Sequence, residues 1–315
     1  MIKSSYVLRL ARRYREHVGI SEELRGWNWD SPPVEPPVRG LGLAISDIAG
    51  RYCPSMRDMF VKYVLGFSPR PNMRMLVGRV YHQVMQDCVE TVKKFIYENS
   101  VVDGHTIYTG VIKELEDRIR NLVERELLLC SDEIDDLFVR KVVERALNLW
   151  RFLALKYSSA IDELRSSHKG IGLDSLVSRA IPQVAEYRVD GTRLGLSSNL
   201  SVDVFAPTYM VIEYKTGAKK EFHRLATTGY ALALESELEV EVNMGVILYI
   251  WFDERNLPLI SYDYHFIGDE LRRRFLDTRD EIMEIIEHAR DPGIPPSCYK
   301  WCPYLGVCKS EGSKR

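Results

Sequence analysis

Glutamine is almost absent from this 315-residue chain, occurring only at Gln83, Gln86 and Gln183. With arginine well ahead of lysine, so few thermolabile amides suit a protein that works hot. Net charge is scarce as well: 43 basic residues stand against 45 acidic ones, a formal balance of −2. A nucleic-acid partner therefore draws no support from overall charge and would have to be held by a local basic patch. Long apolar runs are missing, and the longest, Met244 to Phe252, is far too short to span a bilayer. The stretch with Lys3, Arg9, Arg12, Arg13 and Arg15 lacks a signal-peptide core. The expectation is a cytoplasmic protein with no membrane contact. There is no internal repeat and no low-complexity tract, and the length is enough for one elaborated domain or two small ones.

What is present divides into four stretches. Residues 1–40 read as a basic amphipathic helix to about residue 25, then a linker, because Ser31-Pro32-Pro33 through Pro36-Pro37 cannot continue a helix. Residues 41–180 read as helical, with a short stretch from Ile45 to Tyr63 carrying Cys53-Pro54 and a long helix from about Asn72 to Asn99. Two more helices follow at about 106–130 and 132–166. On the long helix His82, Met85, Val89, Val92 and Ile96 recur at three- and four-residue steps, so His82 is expected to face inward. The period changes near Ile181, and residues 181–268 read as a mixed sheet. Its strands are expected at 183–190, 192–196, 200–206, 209–215, 244–251 and 258–266, with Asp190-Gly191 as a hairpin turn and a crossover helix within 219–238. Residues 269–315 supply a last helix to about residue 289 and a cysteine-rich tail. The fold class is α/β in the broad α+β sense.

Chemistry gathers first around Asp203 and Glu213-Tyr214-Lys215-Thr216-Gly217. Strand side chains alternate faces, so Glu213 and Lys215 point one way and Ile212 and Tyr214 the other. Two carboxylates beside a lysine can hold a divalent metal and activate water against a phosphodiester. An isolated E-x-K is more often an exposed strand end. A histidine on a helix stripe is likewise often a satisfied core residue; Gly78, one turn before His82, argues for a site, since a missing side chain lets another backbone approach. Lys219, Lys220, His223 and Arg224 follow the strand and form one candidate phosphate-contacting patch, with Arg272, Arg273 and Arg274 a second.

The tail is the other concentration. Cys298, Cys302 and Cys308 crowd a few residues around Trp301, Pro303 and Tyr304, and thiols this close in a cytoplasmic chain point to metal rather than disulfides. Zinc and iron–sulfur sites usually take four protein ligands. Cys88 and Cys130 lie in apolar helices and read as small core residues. Cys53, in a Cys-Pro pair with Tyr52 and Arg57 beside it, is the candidate fourth ligand. Zinc stays open, but ribbons contribute ligands in two local pairs, so one-plus-three favours a cluster.

Gly78-Arg79-Val80-Tyr81-His82, Ser201-Val202-Asp203-Val204, Glu213-Tyr214-Lys215-Thr216-Gly217, Tyr230 through Leu234-Glu235, and Cys53 with Cys298, Cys302 and Cys308 together resemble a RecB-like nuclease of the PD-(D/E)xK superfamily. More narrowly, residues from about 41 to 310 resemble the iron–sulfur CRISPR-associated exonuclease family in its archaeal subtype I-A variant. The resemblance implies a restriction-endonuclease-like core, a large N-terminal helical region and a C-terminal iron–sulfur cysteine cluster. It implies Mg2+ or Mn2+ held by His82, Asp203, Glu213 and the carbonyl of Tyr214, with catalysis by Lys215, Glu213, Asp203 and Tyr230. It implies a [4Fe–4S] cluster on Cys53, Cys298, Cys302 and Cys308. It implies DNA as substrate, as single strands or overhangs, in CRISPR adaptation. The implied partners are the CRISPR integrase, its small companion protein and a second nuclease of the same family. Two departures stand out. Ala226 takes the place of the glutamine in the family's Gln-x-x-x-Tyr helix motif, with His223 or Arg224 one turn earlier as possible substitutes. Three residues separate Cys298 from Cys302, where two are commoner.

Overall fold

The computed structural model describes residues 9–10, 12–13, 19–69, 71–100, 103–130, 134–206, 210–299 and 302–312. The expected amino-terminal helix falls mostly outside them. Residues 9–10 and 12–13 are helical, but from residue 19 the chain makes only 3-10 turns, at Glu22–Leu24 and Gly26–Asn28.

After the short helix α1 (Ile45–Ala49), residues Arg57–Met59 form a helical turn that widens to a π turn at Phe60–Val64. Then come α2 (Met73–Asn99), α3 (Gly104–Val111), α4 (Leu115–Leu127), α5 (Asp136–Ser167) and α6 (Leu173–Ala180). Asn72 opens α2 by accepting a hydrogen bond from Met75 N at 3.1 Å, and Asp103 opens α3 from Thr106 N at 2.9 Å. The single helix expected over 106–130 is broken between α3 and α4, where Glu114 sits at φ 59°. The short α6 was not expected: its eight residues are too few for a clear period.

The sheet runs β1 (Val184–Val189), β2 (Leu200–Ala206), β3 (Met210–Thr216), β4 (Met244–Phe252) and β5 (Pro258–Phe266), side by side in that order. All neighbours are antiparallel except β3 and β4, which pair in parallel through the crossover helix α7 (Arg224–Leu238). The expected strand at 192–196 is instead a 3-10 turn, Thr192–Leu194. Asp190 captures Thr192 N at 2.9 Å, and Gly191 N reaches Ser197 O at 3.1 Å, so Asp190-Gly191 opens a longer loop rather than a two-residue turn.

One sheet face, with Val204, Ile212, Tyr214, Val246 and Ile250, packs under α2 to α6 around Trp150. The other, with Val189, Leu200, Val202 and Val211, packs against α1, α7 and α8 (Asp269–Glu287), as does α9 (Leu305–Gly312) through Cys308. That second core contains charge. Glu235 is fully buried and accepts from Arg272 at 2.6 and 2.8 Å, Arg25 at 2.8 Å, Gly26 N at 2.9 Å and Val242 N at 3.1 Å. Glycine is required at 26, where a Cβ would meet Leu232 O at 2.0 Å. No helix among the described residues is long and apolar enough to cross a membrane.

Candidate active site and cysteine group

The site begins with a fault between two strands. Among the described residues, β2 pairs with β3 only from Ala206↔Met210 to Val204↔Ile212. One step on, Tyr214 N donates 2.7 Å to the Asp203 side chain (Oδ2). A carboxylate thus takes the place of a ladder partner and is aimed between the strands. Across β1, the pairs Ala185↔Val204 and Tyr187↔Val202 flank Glu186, which stands at φ 48°, a region a non-glycine strand residue rarely enters. Val202 faces the second core and Val204 the first, so β2 changes face at Asp203.

Around that fault the expected residues converge. Lys215 Nζ lies 2.6 Å from Glu213 Oε1, and His82 Nδ1 lies 3.5 Å from Asp203 Oδ1. The Glu213 side chain is 9% exposed, and its Oε2 is buried with no hydrogen-bond partner. His82 is one-third exposed rather than turned into the core, its ring edge-on to Tyr214 at 5.9 Å. The inward reading therefore holds for Met85, Val89, Val92 and Ile96 but not for His82.

Burial and the charge of Asp203 raise the Glu213 carboxyl, against the pull of Lys215. Asp203 moves the other way: burial would raise it, but His82, the Tyr214 N–H and Lys215 hold it below the usual carboxylate range. Burial would lower both cations, yet Asp203 and Glu213 keep His82 raised, and Glu213 keeps Lys215 raised. Lys215 is accordingly a fixed cation rather than a base. The Tyr230 phenol, on α7, is pushed up by burial and by the charges of Glu213 and Asp203. Ala226 is buried in the apolar core. Gly78 is not needed for close packing, because a Cβ there would meet only Thr216 Oγ1, at 3.4 Å.

The cysteine group joins two distant segments. Arg57 grips Asp291 at 2.8 and 3.0 Å, and Ser55 Oγ donates 2.8 Å to Gly293 O, fastening the Cys53 loop to the chain that enters the tail. Burial raises the Cys302 thiol, and Asp58, Cys53 and Cys308 add to it. Burial also raises Cys308, where Arg57 opposes Cys53 and Cys298. All four thiols are free, Cys302 feeling Cys53 and Cys308, and Cys308 feeling Cys53 and Cys298; Cys88 is buried in the first core instead, and Cys130 is only half-buried. Among the described residues, no three His, Cys, Asp or Glu side chains have closed into a ready metal shell, here or at the carboxylates.

The family model described as CRISPR-associated exonuclease Csa1 matches residues 1–312. A protein of that name from Saccharolobus solfataricus is 35% identical over 311 residues, covering 96% of this chain and 98% of the relative. Another, from Thermoproteus tenax, is 31% identical over 309 residues at the same coverage. This chain belongs to the Csa1 family.

The basic residues of this Csa1-family chain divide by position. Lys219 and Lys220 are exposed beside the site. Arg224 is held by Asp263 at 2.8 and 2.9 Å. His223 is 5% exposed, so it stands behind the surface rather than on it, with Nδ1 3.0 Å from the Tyr249 hydroxyl and Nε2 buried without a partner. Arg272 is fully buried against Glu235 and leaves the candidate patch; Arg273 and Arg274 pair with Glu23 and Glu221. Sequence reasoning missed a line of aromatic rings at the site's edge, Tyr52, Tyr299, Phe222 and Tyr249. Tyr52 and Tyr299 each adjoin a candidate cysteine ligand, which was the available signal.

Proposed function

We propose that this chain is a metal-dependent DNA exonuclease of CRISPR adaptation, acting on single strands or overhangs, with a RecB-like PD-(D/E)xK core. The observation that carries the reading is the buried, unpartnered Glu213 Oε2 in a group that His82, paired with Asp203, and Lys215 close. An orphaned carboxylate oxygen in a set of two carboxylates and an imidazole suits a hard divalent cation, Mg2+ or Mn2+, and the Tyr214 carbonyl is a further donor. When bound, the ion would polarise a phosphoryl oxygen and make attacking water more acidic. The chain's own residues do the rest. Lys215 carries a fixed positive charge that offsets negative charge developing on the phosphoryl oxygens. His82 and the Tyr214 N–H hold Asp203 ionised and in place. Tyr230, on α7, feels the charges of both carboxylates and would limit how the strand can lie.

Four free thiols brought from both ends of the chain fit a [4Fe–4S] cluster, held by Cys53, Cys298, Cys302 and Cys308, that fastens the ends together. Spacer acquisition as the setting implies the CRISPR integrase and its small companion as partners, with a second nuclease of the family, in the cytoplasm. The relatives named as exonucleases support the activity; Ala226 supports a second reading, a DNA-binding scaffold of the same apparatus with a silent pocket. A nuclease assay on anaerobically purified protein decides between them. Cleavage that needs manganese or magnesium, stops with chelator and is lost in Lys215→Ala supports the enzyme; no cleavage by protein with a full cluster supports the scaffold.

A further inference from the structure

The missed rings form a connected line. Tyr52 and Tyr299 lie 5.7 Å apart between centroids at 31°, and Tyr52 meets Phe222 edge-on at 5.2 Å. Phe222 meets His223 at 5.0 Å, His223 meets Tyr249 at 5.7 Å, and Lys219 Nζ lies 5.4 Å over the Tyr249 ring. Tyr52 is 47% exposed and Tyr299 44%. Tyr249 is the partner of Lys215 across the β3–β4 pair, so the line of rings begins beside the proposed catalytic lysine. Arg74 donates to the Tyr299 hydroxyl at 3.4 Å, and Lys219 and Lys220 are exposed nearby.

Large rings left nearly half in water beside cations contribute little to the core, and they match what an unpaired strand requires. Bases stack on aromatic faces whatever their identity, while the backbone follows positive charge. We infer that Tyr52 and Tyr299 are a base-stacking platform that grips single-stranded DNA next to Lys215, an inference that rests on the nuclease reading for its substrate. Phe222 supports Tyr52 from the side, and Lys219 and Lys220 line the path of the phosphates. A duplex keeps its base faces covered, so the platform selects unpaired strands or overhangs.

The test is binding without cleavage, by fluorescence anisotropy of the anaerobically purified full chain in calcium, with labelled oligothymidylate and the same backbone made abasic. Wild-type protein binds oligothymidylate roughly tenfold tighter than the abasic strand, and Tyr52→Ala and Tyr299→Ala each lose roughly tenfold on oligothymidylate alone. Tyr52→Phe and Tyr299→Phe keep wild-type affinity, which separates stacking from a lost hydroxyl. Ultraviolet cross-linking of wild-type protein to 5-iodouracil DNA marks Tyr52 or Tyr299, a readout independent of how variants fold. Equal wild-type affinity for the two strands, full affinity in folded alanine variants, or cross-links only elsewhere would each overturn the platform. Failure of the nuclease reading looks different: the base-dependent affinity persists while wild-type protein cleaves nothing in manganese.

Discussion

The carboxylate site and the cysteine group are two sets of candidate ligands held in opposite ways. At the first, the side chains restrain one another, Lys215 against Glu213, His82 against Asp203, and Tyr214 N to Asp203, in the middle of the sheet. At the second, what brings the thiols together is the surrounding frame, Arg57 to Asp291 and Ser55 to Gly293. The difference follows from charge. Carboxylates attract ammonium and imidazolium groups that hold them in position before any ion arrives, whereas burial raises the Cys302 and Cys308 thiols and Arg57 opposes this at Cys308 only in part. The first site should therefore keep its geometry when a ligand is lost, and the second should not.

The largest effect that would break this contrast is at Lys215. Lys215→Ala is expected to lower the cleavage rate by about 10²- to 10³-fold, as removal of one charge stabiliser does elsewhere, with melting temperature and iron content unchanged. A rate near wild type would remove the lysine from the mechanism. Next comes the buried charge network of the second core. Glu235→Ala leaves the buried Arg272 with backbone carbonyls alone and Arg25 with Asn243 and a longer contact to Glu241, and should cost on the order of 3–5 kcal/mol in urea unfolding. A loss within ~1 kcal/mol would mean that the arginines find water.

Cys53→Ser sharpens the comparison. It should empty the cluster, read as iron per protein and visible absorbance, and lower the melting temperature, while manganese titration at the carboxylates is unchanged. Loss of manganese binding together with the iron would show that the two sites are one unit.

Acid provides a smaller test. His223 and His265 are buried and held down to about 4, His223 by burial and by Lys215 and Lys220, and His265 mainly by burial. Between that value and ~6.5 the unfolded chain binds protons that the folded chain refuses, so stability falls as pH drops through this window, by roughly 3 kcal/mol per histidine at most. Asp58, raised to about 6 by burial, opposes this in part. Urea midpoints from pH 7 to 4 should show the fall, and His265→Gln should flatten it. Smallest is Gly78→Ala, which meets only Thr216 Oγ1 at 3.4 Å and should change stability and cleavage by less than about twofold.

Much of this was legible before the structure. The strands at 200–206 and 258–266 coincide with β2 and β5, because alternation with β-branched and aromatic residues is a direct signal. Asp203, Glu213 and Lys215 could be paired because E-x-K fixes two side chains on one face. The illegible parts depend on relations between strands. Nothing in the sequence marks Glu186 as left-handed, the β2–β3 ladder as giving way at Asp203, or Arg272 as buried, since each is decided by a partner far along the chain. The 192–196 stretch misled because Asp190 offers its backbone an alternative to pairing.

The mixed pairing of β3 has a kinetic consequence. Its β2 neighbour comes through a short connection, but its β4 neighbour is parallel and needs the whole crossover, with Glu213 opposite Ile247. His82 must arrive from a helix more than a hundred residues upstream of Asp203. Loops of that size close late because their ends lose most freedom on meeting. During refolding the three-strand meander should form first, α7 and β4 next, and the imidazole should dock last. Rapid-mixing experiments on the full chain would then see sheet signals precede any affinity for manganese, so that the protein acquires its shape before its chemistry.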